Sequence, residues 1–128
     1  MPRQFTVEEA NSLLPALAPV LEDLRAAARR LIAMRDELAT INPASRLNGM
    51  AKRVLQLECE AADSAEHVDG LLQQIDAMGV EVKDPLTGLI DFRSLRGRQE
   101  VYLCWRLGEG PIAWWHSLDA GIQGRLPL

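Results

Sequence analysis

The sequence predicts an α+β fold: a long antiparallel two-helix hairpin, coiled-coil-like, with a short N-terminal helix, followed by a small antiparallel β-sheet of about three strands. Three observations predict it. An apolar heptad repeat runs through residues 17–41 and returns at 47–78. Only a short break, NPAS at 42–45, separates the two runs. After Gly79 the helical period gives way to short runs rich in β-branched and aromatic residues, punctuated by Gly and Pro. At 128 residues the chain has the size of one compact domain. The reading is therefore a single domain over 1–128, with a helical hairpin part at 6–79 and a small β part at 80–128.

The first helix starts at Thr6, which with Glu9 has capping-box spacing: the hydroxyl accepts from one orphan amide and the carboxylate reaches back to another. Pro15 and Pro19 lack amide donors. They predict a short helix over 7–14, a longer one starting near Pro15, and a bend at Pro19. Within the long helix Leu17, Leu24, Leu31 and Leu38 repeat every seven residues, as do Val20, Ala27, Met34 and Ile41. The second helix carries Leu47, Val54, Ala61, Val68 and Ile75 at one core position, and Met50, Leu57, Ser64, Leu71 and Met78 at the other. Gly79 suits its C-terminal cap.

Helices joined by so short a connection are antiparallel neighbours. The fold-back sets Leu17 against Leu71, Leu31 against Leu57 and Met34 against Val54. It also lines up Asp23 with His67, Arg30 with Glu60 and Glu37 with Arg53 along one flank. The opposite flank carries Leu21, Ala28, Ala51, Ala65 and Leu72, with Arg35 and Glu58 as exceptions. Two helices bury only their seam, so this second apolar flank calls for cover by the C-terminal unit, by a second copy of the chain forming a bundle, or by both.

In the β part, VEVKDPLTG reads as a short extended piece and a turn at Asp84 and Pro85. LIDF, EVYLCWRL and PIAWWHS read as strands, the last two joined through GEG as a hairpin. Alternation puts Val101, Leu103, Trp105 and Leu107 on one face, the core, and Tyr102, Cys104 and Arg106 on the other. The run containing Arg93, Arg96 and Arg98 reads as a solvated loop.

Composition bounds function. The hydrophobic fraction is 48% and the charged fraction 25%, ordinary for a folded protein, and the formal net charge of −4 argues against nucleic acid or an anionic membrane as partner. MPRQFTVEE has acidic residues where a signal peptide is apolar, and no apolar run reaches bilayer-spanning length. The expectation is a cytoplasmic protein with free Cys59 and Cys104.

Most of the reactive side chains fall in one stretch, VYLCWRLGEGPIAWWHSLDAG. Pairing about GEG brings Cys104 near Trp114 and Tyr102 near His116, with Asp91 on the neighbouring strand. Cys104, His116 and Asp91 could bind zinc, or could form an imidazole-activated thiolate. The bland alternative makes Cys104 a small buried hydrophobe and leaves His116 bonded to a backbone carbonyl. It is the favoured one, because no C-x-x-C or H-E-x-x-H spacing is present. Trp114 and Trp115 point to opposite faces, and one of them is a candidate ligand wall. Arg125 is expected to pair with Glu109 or Asp119, and Glu60, Asp63 and His67 share a helix face that charge pairs explain better than a metal.

The opening FTVEEANSLLPALAPVLEDL, the long hairpin, GLIDF, LCWRLGE, WH and GR-x-P together resemble a bacterial family known only as a conserved domain of unknown function. The resemblance spans nearly the whole chain. It implies a small cytosolic bacterial protein of this architecture and supplies no activity, cofactor or catalytic residue.

Two readings of function follow. The first is a non-enzymatic interaction or assembly module, a homodimer through the hairpin's apolar flank, with no catalytic residue and no cofactor. The second is a small-ligand or metal site on the sheet, drawing on Asp91, Tyr102, Cys104, Arg106, Trp114, Trp115 and His116.

Overall fold

The computed structural model describes residues 3–41 and 49–128. The NPAS break and the core position Leu47 lie outside the described residues. Two long helices, α1 (Val7–Thr40) and α2 (Ala51–Ala77), precede five strands, β1 (Glu81–Asp84), β2 (Leu89–Arg96), β3 (Gln99–Arg106), β4 (Trp114–Ser117) and β5 (Leu126–Pro127). The strands form one antiparallel meander in the order β1-β2-β3-β4-β5. The architecture is thus α+β with a helical hairpin, with five strands rather than about three. The two uncounted strands are the edges, of four and two residues, too short for a period of two to stand out.

The expected short helix over 7–14 is not separate. It is the first part of α1, which runs without interruption through Pro15 and Pro19. Both prolines are exposed. The carbonyls of Asn11 and Pro15, which lose their amide partners, therefore lie on the side where water can take the missing bonds. The Thr6/Glu9 capping box forms as expected, with Glu9 N–H donating to Thr6 Oγ1 at 3.1 Å and Thr6 N–H to Glu9 Oε1 at 3.0 Å.

At the sheet end of the hairpin, Leu17, Leu21, Leu24, Leu71 and Ile75 share one core with Phe5, Val80, Ile90, Phe92, Leu103, Trp105 and Ile112. Leu21 is fully buried there and Leu72 packs against the same cluster. At this end the chain's own sheet covers the apolar flank. The far end holds a smaller cluster of Leu31, Met34, Leu57 and Ala61. Two of the expected flank pairs form in this register: His67 Nε2 sits 3.1 Å from Asp23 Oδ1, and Arg53 bonds Glu37 at 3.2 Å. Glu60 accepts from Gln56 on its own helix at 3.3 Å instead of facing Arg30.

Two glycines are obligatory. Gly79 ends α2 at φ 83°, and Gly88 turns β1 into β2 at φ 72°, where an added Cβ would stand 2.6 Å from Leu107 Cβ. The basic run is strand for two of its arginines: β2 carries Arg93 and Arg96, and only Arg98 lies in a turn, with Gly97, leading into β3; Arg96 and Arg98 are exposed, as expected. Two of the three arginines are matched. Arg93 pairs with Glu81 and Glu100, and Arg96 lies 4.5 Å from the Trp115 ring centre. The link between β3 and β4 is longer than a tight GEG turn, since β4 starts only at Trp114, and Trp105 Nε1 ties the loop by donating to Gly110 O at 2.8 Å. Among the described residues, no helix is long and apolar enough to cross a membrane.

Candidate functional site

The β3–β4 register pairs Cys104 with Trp114 and Tyr102 with His116, and the β2–β3 register pairs Asp91 with Cys104. Alternation then sets Asp91, Tyr102, Cys104 and His116 on the sheet face turned away from the helices, while Ile90, Phe92, Leu103 and Trp105 enter the core. Three strands therefore deliver a carboxylate, a thiol and an imidazole whose ligand atoms all lie within 4.8 Å of one another. Although this face is turned from the hairpin it is not open: Asp91 and His116 are each 2% exposed and Cys104 1%. Leu118, Asp119, Gly121 and Ile122, from the segment after β4, line a cavity of about 400 Å³ together with Lys83, Leu89, Asp91, Tyr102, Cys104 and His116.

Hydrogen bonding determines where the protons sit. His116 Nδ1 lies 2.8 Å from the Ser117 carbonyl, which only accepts, so Nδ1 carries the hydrogen. Nε2 faces Asp91 Oδ2 at 3.0 Å, and one proton lies between them: the pair is either imidazolium with carboxylate or neutral imidazole with carboxylic acid. Asp91 Oδ1 is buried without a hydrogen-bond partner. Burial raises the Asp91 carboxyl above its ordinary range, against the opposing pull of His116 and Lys83.

Cys104 is a poor nucleophile here. Burial, aided by the Asp91 charge and opposed by Arg125, pushes its thiol up to about 11, so thiolate is scarce at neutral pH. An imidazole-activated thiolate has no support in this arrangement, because His116 has both nitrogens engaged, by Ser117 and Asp91.

Beside the cavity, Glu81 ties together two of its lining residues, Tyr102 and Lys83. Its carboxylate accepts from Tyr102 Oη at 2.9 Å, Lys83 Nζ at 3.0 Å and Arg93 Nε at 3.2 Å. Burial alone would raise its pKa, but these three donors outweigh it and hold Glu81 below the usual carboxylate range. Lys83 lies 4.6 Å from the Tyr102 ring centre, and that ring is tilted against His116 at 5.3 Å.

The other sequence candidates are placed elsewhere. Arg106 ends β3 exposed and outside the cavity lining. Trp115 packs on the core face, and Trp114, on the outer face, is covered by the Arg125 guanidinium at 4.7 Å. Arg125 makes its ion pair with Glu109, by bonds of 3.0 and 3.2 Å. Sequence reasoning missed Lys83, Leu89 and the lining residues Leu118, Asp119, Gly121 and Ile122. Lys83 was findable, because it lies two residues from Glu81 and shares its face, and Glu81 pairs with Asp91. The 118–122 segment carries no periodic signal.

The chain matches, over residues 3–128, a family described as an uncharacterized conserved protein, DUF2203, and belongs to that family. No curated protein and no solved structure matches it.

Proposed function

We propose that the protein binds a small ligand in the cavity on the outer face of its sheet, with Asp91, Cys104 and His116 as the floor. The observation that carries this reading is Asp91: a carboxylate buried against the cavity, with one oxygen held by His116 and the other without a partner. A buried polar pair such as Asp91 with His116 is a poor way to stabilise a fold, since apolar residues of similar volume serve as well or better. Ionisable groups gathered at a cavity instead mark a binding site. The raised thiol pKa and the lack of a free base argue for binding over nucleophilic catalysis.

Native and denaturing mass spectra of protein purified without chelator or histidine tag test it. A non-covalent mass of one ligand per chain is expected under native conditions, and it should fall away in Asp91→Asn. A native mass equal to the polypeptide, with no cation or small organic acid or base raising the melting temperature, would sink the reading.

A second reading, self-association through the hairpin, moves to its far end. Leu21 and Leu72 are taken by the sheet, but Ile32 and Leu55 are 43% and 62% exposed. Each follows a core position by one residue, at the edge of the flank that carries Ala28, Ala51 and Ala65. If this stripe joins two copies, sedimentation at micromolar concentration gives a dimer that Leu55→Glu converts to a folded monomer. A wild-type monomer at that concentration excludes it.

A further inference from the structure

The geometry points to a zinc-class divalent metal ion as the ligand of this site, held by Asp91, Cys104 and His116 with a fourth position open to the cavity; the inference rests on the binding reading above. The imidazole is already in the form metal sites use. Nδ1–H is spent on the Ser117 carbonyl, which fixes the ring and turns Nε2, the ligating nitrogen, toward Asp91 and Cys104. A tetrahedral centre with bonds of about 2.0–2.3 Å spaces its ligand atoms roughly 3.3–3.8 Å apart. Nε2 and Asp91 Oδ2 stand 3.0 Å apart and all three ligand atoms fall within 4.8 Å, so small side-chain shifts close the set. The β-ladders that carry these residues are fixed by neighbours on both sides, and the ligands need no loop to order around the ion.

Charge favours the same assignment. On binding, the ion replaces two protons: the thiol hydrogen of Cys104 and the single proton held between Asp91 and His116. The product is one carboxylate, one thiolate, one neutral imidazole and a dication, a centre with no net charge among three buried side chains. The Asp91 oxygen that lacks a partner becomes available to the metal or to a ligand on it. Sulfur and nitrogen in the set select borderline ions such as zinc over magnesium or calcium, which take oxygen. With three protein ligands the fourth position faces the 400 Å³ cavity between Lys83 and the 118–122 segment. A water or a small exogenous donor fills it, as in exchangeable rather than closed structural sites.

Cobalt(II) titration of chelator-treated full-length protein tests the inference. One equivalent should raise a thiolate-to-cobalt charge-transfer band together with the visible bands of a tetrahedral ion, and zinc should displace both. Cys104→Ser should abolish the charge-transfer band, Cys59→Ser should leave it intact, and Asp91→Asn should weaken binding by more than about 100-fold, beyond the loss typical of an outer-shell change. Circular dichroism confirms that each variant is folded. Should Cys104→Ser fail to fold, the band in wild type and in Cys59→Ser still decides. Folded wild-type protein that takes up no cobalt, or a band that vanishes in Cys59→Ser, overturns the metal assignment. An organic mass in the native spectrum that survives chelation overturns it as well and leaves the binding reading standing. A native mass with no ligand at all, together with no cobalt uptake, removes both.

Discussion

Phe92→Ala is expected to lower the stability of the whole chain by about 3–5 kcal/mol, the range for truncating a fully buried aromatic ring. Phe92 has no exposed surface and meets Phe5 edge-on with ring centres 5.2 Å apart. It belongs to the cluster that joins Leu17, Leu21 and Leu24 of α1 and Leu71 and Ile75 of α2 to Ile90, Leu103 and Trp105 of the sheet. The substitution therefore removes volume where hairpin meets sheet, and the cavity left behind is lined by both. For a chain of this size the loss corresponds to a fall in melting temperature of roughly 10–20 °C. The informative measurement is thermal unfolding followed in parallel by helical circular dichroism and tryptophan fluorescence. Both signals should shift together as one transition, since the hairpin's largest core cluster is the one it shares with the sheet. A fluorescence transition that moves while the helical one stays would show that the hairpin stands without the sheet, contrary to what the shared core implies.

The helical half could be read from sequence because a seven-residue repeat reports both the buried seam and, by fold-back, the opposed pairs Asp23–His67 and Glu37–Arg53. The register of the sheet site could be read too. Once the strands pair about a turn beyond Arg106, alternation alone sets Cys104 beside Trp114 and Tyr102 beside His116. What could not be read depended on information that pattern does not carry. Pro15 and Pro19 are accommodated inside α1 where both are exposed and water can take the lost bonds, and exposure is a tertiary property. Leu21 and Leu72 announce that something covers them but not what, and the answer, their own sheet, required the placement of β1 through β3 against the hairpin. The lining of the site comes from residues 118–122, mostly irregular and without any apolar period. The chain displayed the three side chains, and it hid the cavity they line.

Removing one member of the buried pair and then both separates a binding role from a structural one. In chelator-treated protein, His116→Leu should cost about 3–5 kcal/mol, because it strands a carboxylate whose Oδ1 already has no partner. Asp91→Leu should cost less, about 1–3 kcal/mol, since it leaves a neutral imidazole with only Nε2 unsatisfied and Nδ1 still bonded to Ser117. The double variant should return to within about 1–2 kcal/mol of the parent, as apolar pairs that replace buried ionic ones do, with the adjoining cavity taking the extra volume of leucine at position 91. The sign of the pH dependence checks the cause. Burial already raises the folded-state pKa of Asp91 above its unfolded value, and loss of the imidazole raises it further. An acid raised in this way loses folding stability as pH climbs from its unfolded pKa through its folded one. The deficit of His116→Leu should therefore be larger at neutral pH than near pH 4, whereas a deficit from lost packing would not change. Denaturant unfolding of the four proteins at two pH values gives every term of the cycle. If the single losses simply add in the double variant, the pair is two independent packing residues, and the case that it is kept for a ligand fails. A near-neutral double variant shows that the fold does not need Asp91 and His116, which leaves binding as the reason for a buried charge at the edge of a cavity.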